Sequence, residues 1–113
     1  MDYQRSERLA ELLVEILSEM LRRDLSDPRV SPVTLTGAKV SKDLRHARIY
    51  FNLLGGTGDR QAALAGLRSA TGLMRSKLGK GLKLKFVPAI EFVYDETQDE
   101  ARRIDDLLRR TKG

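Results

Sequence analysis

The side chains best placed to do chemistry in this sequence are cations. Between Asp59 and Glu91 there is no acidic residue, and Arg60, Arg68, Arg75, Lys77, Lys80, Lys83 and Lys85 all fall within that run. The chain as a whole holds 21 Lys and Arg against 16 Asp and Glu, a net charge of +5, so outside this run it is slightly acidic. The basicity is therefore a local surface property. A local cationic surface on a small domain fits a polyanionic partner, of which nucleic acid is the commonest. The chemistry it offers is electrostatic docking on phosphates rather than the making or breaking of bonds.

Groups for covalent or acid–base work are sparse. His46 is the sole histidine, and its place at a turn-to-strand junction reads as a surface position. There are no cysteines, which excludes a disulfide scaffold, a zinc ribbon and a thiol nucleophile, and is compatible with a reducing cytosol. The acidic residues from Asp95 to Asp106 lack the spacing of a calcium loop. Their gathering at Asp95, Glu96, Asp99 and Glu100, with Arg109, Arg110 and Lys112 at the other end, is the charge order that suits a helix dipole. No catalytic residue, metal ligand or cofactor is expected.

Two further signals invite over-reading. Gly55-Gly56-Thr57-Gly58 matches G-x-x-G literally, but it lies between a strand and a helix, whereas the RNA-clamping loop joins two helices. It also lacks the Lys-Ser/Thr ending of a nucleotide-binding loop, so it reads as a linker. Phe51, Phe86 and Phe92 all fall on core-facing parities, and Tyr50 is the only aromatic on the polar parity of its strand. Recognition by bases splayed over aromatic rings is not expected; a reader of backbone and shape is.

The elements that must position the cations follow from periodicity. Residues 5 to 24 read as a helix with Leu9, Leu12, Leu13, Ile16, Leu17 and Met20 on one face, and Glu7, Glu11, Glu15 and Glu19 on the other. Asp27-Pro28 ends the helical region. Val33 to Val40 is rich in β-branched residues, and 46 to 54 alternates apolar and polar, so the two predict an antiparallel hairpin across a turn at Ser41 to Arg45. Asp59 caps a helix from Arg60 to Gly79, with Ala63, Leu67, Ala70, Met74 and Leu78 as its buried stripe and a break expected near Gly72. Arg68, Gly72, Arg75 and Gly79 fall roughly opposite that stripe. Gly79-Lys80-Gly81 reads as a stop. Leu82 to Tyr94 keeps one parity throughout and predicts a long strand bent at Pro88. A last helix spans 97 to 110. Helices on one face of a three-stranded sheet make one α+β domain over residues 1–113.

This order of elements resembles the type II KH fold. Ala70-Thr71-Gly72 resembles the Ala-x-Gly kink that stands in place of the G-x-x-G loop in the ribosome-binding factor A family. Ser26-Asp27-Pro28-Arg29, Val40-Ser41-Lys42-Asp43-Leu44, and Pro88 with Phe92-Val93-Tyr94-Asp95 agree with that family as well. The resemblance covers nearly the whole chain. It implies a non-enzymatic, cytoplasmic factor that binds the free small ribosomal subunit, assists late maturation of its rRNA, matters for growth in the cold, and departs before translation. On that expectation Arg68, Arg75, Lys77, Lys80, Lys83 and Lys85 contact phosphates, with Gly72 allowing close backbone approach. The factor is expected to act as a monomer without membrane or small-molecule partners. The competing expectation, from the charge alone, is an adaptor whose basic face meets an acidic protein.

Overall fold

A computed structural model describes residues 2–54, 58–82, 84 and 86–112. The first helix, α1 (Asp2–Arg23), is followed by a 3₁₀ turn (Pro28–Val30) and two strands, β1 (Val33–Val40) and β2 (His46–Leu53). Helix α2 (Arg60–Gly81), strand β3 (Ala89–Tyr94) and helix α3 (Thr97–Lys112) complete the chain. The sheet order is β1-β2-β3. β1 pairs antiparallel to β2, with an irregularity between Leu35 and Gly37, and β3 pairs parallel to β2, from His46↔Ala89 to Phe51↔Tyr94. The sheet is therefore mixed, and α2 is the crossover that parallel pairing requires.

Alternation along β2 decides which face is covered. Ala47, Ile49, Phe51 and Leu53 are buried, while Arg48, Tyr50 and Asn52 lie on the other side. α1 supplies Leu9, Leu13, Leu17 and Met20 to the covered face, α2 supplies Ala63, Leu67, Met74 and Leu78, and β3 supplies Phe92. Fully burying side chains of this size contributes about 1.5–3 kcal/mol each. Phe51 sits at the centre, with the Tyr94 ring edge-on at 5.5 Å. The capping role of Asp59 is seen directly: its carboxylate accepts from the Ala62 N–H at 3.0 Å. The run of like charges on α1 is relieved at its C-terminal end, where Glu19 accepts from both Arg22 and Arg23.

Two expectations are corrected. α2 is not broken near Gly72; helix continues through Ala70, Thr71 and Gly72 to Gly81, and among the described glycines only Gly58 has a positive φ. What marks the triplet is the Thr71 hydroxyl, which donates to the Leu67 carbonyl at 2.9 Å, a bond that slightly bends a helix without interrupting it. The long strand from Leu82 is also shorter than its parity suggests. Ala89 pairs with His46, the first residue of β2, so the described residues just before Ala89 have no strand beside them to pair with. Phe86, on a core parity, is consequently 52% exposed. α3 forms as expected, and its Ile104, Leu107 and Leu108 are exposed.

Candidate nucleic-acid interface

The local chemistry of α2 begins with its two flanks. Arg68, Gly72, Arg75 and Gly79 recur at helical spacing, and contacts show that this flank turns toward the β3 side of the sheet rather than directly away from the core. Arg75 Nε donates to the Pro88 carbonyl and its Nη2 to the Val87 carbonyl, both at 3.1 Å. A Cβ built on Gly79 would lie 3.3 Å from Val87 Cγ2. Arg68 lines a groove between α2 and β3 together with Gln61, Leu64, Phe92 and Tyr94. At the head of the same helix, the Arg60 guanidinium lies 3.7 Å from the Tyr94 ring centroid and 3.4 Å from a Glu96 carboxylate oxygen.

The expected basic residues do not converge on one spot. Arg68 and Gly72 are exposed on the β3-facing flank, and a Cβ on Gly72 would meet nothing within 4 Å. Arg75 shares that flank, but its guanidinium is occupied in fixing the run into β3. Lys77 is on the other flank, half-buried, with its ammonium 3.0 Å from Asp24 beyond the end of α1. Lys80 is exposed near the C-terminal end of α2. Lys83 and Lys85 lie outside the described residues. Ala70 is half-buried and packs against the core. Among the described residues, Arg68 and Lys80 make no ion pair, so their charges face solvent.

The opposite flank is closed by the chain itself. Asp27 caps the 3₁₀ turn by accepting from the Arg29 N–H at 2.9 Å, and its carboxylate also receives the Arg29 side chain, the shortest contact being 2.6 Å. Those bonds hold the Asp27 carboxyl below its ordinary value, the side-chain bond contributing most. The turn so fixed packs on α2 at Gly66: a Cβ there would come within 2.8 Å of Val30 Cγ1 and 3.1 Å of Arg29 Cβ. Sequence reasoning identified the Asp-Pro-Arg stretch but not its seat. Gly66 lies inside the buried stripe, one residue before Leu67, which was the available signal.

The hairpin turn adds a residue that charge counting overlooked, because it lies outside the run. Arg45 stands 4.9 Å from the Phe86 ring centroid. Ser41, Asp43 and His46 meet in that turn without forming a catalytic relay. The Ser41 hydroxyl donates to Asp43 at 2.6 Å, and it accepts from the backbone N–H of His46, not from the imidazole. These bonds, with the positive φ of Leu44 at 63°, are the chemistry of a tight turn. The Ser41 bond is the main reason the Asp43 carboxyl titrates below its ordinary value. Among the described residues, no three His, Cys, Asp or Glu gather as metal ligands would, and no helix is long and apolar enough to cross a membrane.

Fold and site together define a small two-layer α+β module: helices on one sheet face, and an arginine-bearing helix flank along one sheet edge. The profile of ribosome-binding factor A matches residues 5–108, and the chain belongs to that family. It is 43% identical to ribosome-binding factor A of Geobacter metallireducens, covering 95% of this chain and 91% of that protein. It is 48% identical to the Pelobacter propionicus member, over 93% and 86%. A solution NMR structure of a candidate ribosome-binding factor A from Thermotoga maritima is 33% identical, with a TM-score of 0.71 over 82% of this chain and 89% of that one. Coordinates of the Thermus thermophilus factor, fitted into a cryo-EM map of its complex with 30S, share the fold at a TM-score of 0.66 and 23% identity, over 80% and 94%.

Proposed function

We propose that this chain is a non-enzymatic ribosome assembly factor that binds the free small ribosomal subunit through a single KH-like RNA-binding domain. It assists late maturation of the subunit's rRNA in the cytoplasm and acts as a monomer. Its need is greatest in the cold, and it leaves before translation begins. The observation that carries the RNA-docking part is the β3-facing flank of α2. It presents Arg68 to solvent beside Gly72, whose backbone is uncovered, and the bulk of the chain's excess positive charge follows in the same segment. The partner is carried over from the 30S complex of the Thermus relative.

Arg68, Lys80, Lys83 and Lys85 are assigned to phosphates, and Gly72 to close backbone approach within the Ala70-Thr71-Gly72 triplet. Arg75 has a double assignment, since its bonds to Val87 and Pro88 also shape the surface. Lys77, held by Asp24, contributes to binding only if that pair opens. Phosphate contacts position a protein without reading sequence, so discrimination comes from the shape of the folded precursor RNA.

The test is the salt dependence of binding to deproteinised small-subunit rRNA and to isolated subunits. Each phosphate neutralised contributes a log–log slope of roughly −0.7 to −0.9, so about four to six contacts give a slope near −3 to −5. Arg68→Glu should flatten the slope and weaken binding, whereas Glu11→Lys with Glu15→Lys on α1 should not weaken it. A slope near zero on naked rRNA removes the phosphate-docking reading. Retained binding to subunits in that case favours an acidic protein partner instead.

A further inference from the structure

Single apolar side chains at a surface are ordinary and carry no meaning by themselves. Phe86 differs in how it is mounted. Its ring has the Arg45 guanidinium at 4.9 Å from the centroid. The run that follows it is tied to the hairpin turn by the Ala89 N–H, which donates to the Arg45 carbonyl at 2.8 Å. From the other side Arg75 holds the Val87 and Pro88 carbonyls. Two arginines from two separate elements thus fix one three-residue run, Phe86-Val87-Pro88. Among the described residues, neither guanidinium is engaged in a salt bridge.

A phenyl ring that is half in solvent, met by one guanidinium and held on a fixed backbone has the properties of a nucleobase platform. The ring offers a π-face on which an unpaired base stacks, sequence-tolerantly, while guanidinium groups meet the phosphates on either side. The platform lies at the Arg75 end of the α2 flank, so a strand following that flank reaches it without leaving the cationic surface. A protein partner is the less suited occupant, because a single half-exposed ring with a guanidinium beside it buries little apolar area.

We infer that Phe86, with Arg45 and Arg75, is a stacking site for one unpaired nucleobase of single-stranded RNA. The inference rests on the RNA-docking reading above and extends it from phosphates to a base.

The chain contains no tryptophan, so Phe86→Trp installs a sole indole at the site. Its emission is followed while deproteinised small-subunit rRNA, or inorganic polyphosphate, is added. The expected result is quenching by rRNA and none by polyphosphate. Phe86→Leu, which keeps bulk but loses the π-face, should weaken rRNA binding by about tenfold and leave polyphosphate binding unchanged. Arg68→Glu should weaken both. If rRNA binds in an Arg68-dependent manner with no change in indole emission, the stacking site is overturned and phosphate docking stands. A loss in Phe86→Leu without quenching in Phe86→Trp also overturns stacking, giving the ring a packing role. If rRNA fails to bind the unaltered protein, docking and stacking fall together.

Discussion

The two flanks of α2 each carry a glycine, six residues apart, and the two do opposite things. Gly66 lies under the Pro28–Val30 turn, with no room for even a methyl group. Gly72 faces open space. The charges divide in the same way. On the Gly66 side they are closed into pairs, Asp27 with Arg29 and Asp24 with Lys77. On the Gly72 side Arg75 bonds backbone carbonyls and Arg68 faces solvent. One flank is completed by the protein itself, and the other is open to solvent at Arg68 and Gly72. A glycine inside a helix is therefore not one signal but two, and only the neighbour across the interface tells them apart.

The comparison is broken most forcefully at Gly66. Gly66→Ala should destabilise the fold by about 1–3 kcal/mol, because Val30 is a stiff β-branched side chain that cannot rotate clear. A thermal melt reads this, and an unchanged midpoint would mean the turn is not seated there. Arg75→Ala should come next. Two backbone carbonyls, one of them part-buried, lose a charged donor at a cost of about 1–2 kcal/mol, so binding and stability fall together. Arg68→Ala, by contrast, should lower RNA affinity with the melt unmoved. Equal behaviour of the two arginines would erase the distinction between a shaping and a docking residue.

Gly72→Ala should go the other way. With no positive φ and no steric neighbour, it should gain up to about 1 kcal/mol from helix propensity. Subunit binding should drop if the backbone there meets RNA, and Gly72→Asp should lose binding further by repelling phosphate. A stabilised Gly72→Ala variant with normal subunit binding would remove the close-approach role.

The smallest effect is that of pH. Asp27, Asp43 and Asp95 all titrate below the ordinary carboxylate value in the folded state. The cause at Asp95 is chiefly its bond from the Thr36 hydroxyl, then the bonds from Thr97. Their contribution is fully present above the unfolded value, about pH 4, and is lost as pH falls through the lower folded values. Melting temperature should therefore hold from neutral to about pH 5 and decline below about pH 4. Asp27→Asn should flatten part of that decline, and an unchanged acid limb would exclude Asp27 as a contributor.

What was legible in the sequence was whatever is decided locally. α1, the β1–β2 hairpin and the Asp59 cap follow from periodicity and from turn residues adjacent in the chain, and they stand within three residues of their expected bounds. β3 was overdrawn because alternation records only which way side chains point. It cannot record that His46 is where β2 begins and pairing must stop. The same blindness put Phe86 inside. The partners of Arg75 and Lys77 lie on other elements, and a charge count treats a cation bonded to carbonyls as equal to one facing solvent. At Gly72 the sequence offered a break, whereas an exposed helix interior tolerates glycine for a modest loss of stability.

The parallel pairing of β3 with β2 has a further consequence, for the order of events in folding. The hairpin closes over a short turn and needs only local search, whereas β3 reaches β2 only after the whole of α2 has been laid down and brought back. The α2 flank, the Arg75 bonds and the Phe86 mount come into register at that late step, since each depends on where the run into β3 is placed. A chain halted at α1 and the hairpin would hold much of the secondary structure and none of the assembled docking surface. On the RNA-docking proposal, RNA would then bind the finished fold alone, and by mass action would draw the last step to completion.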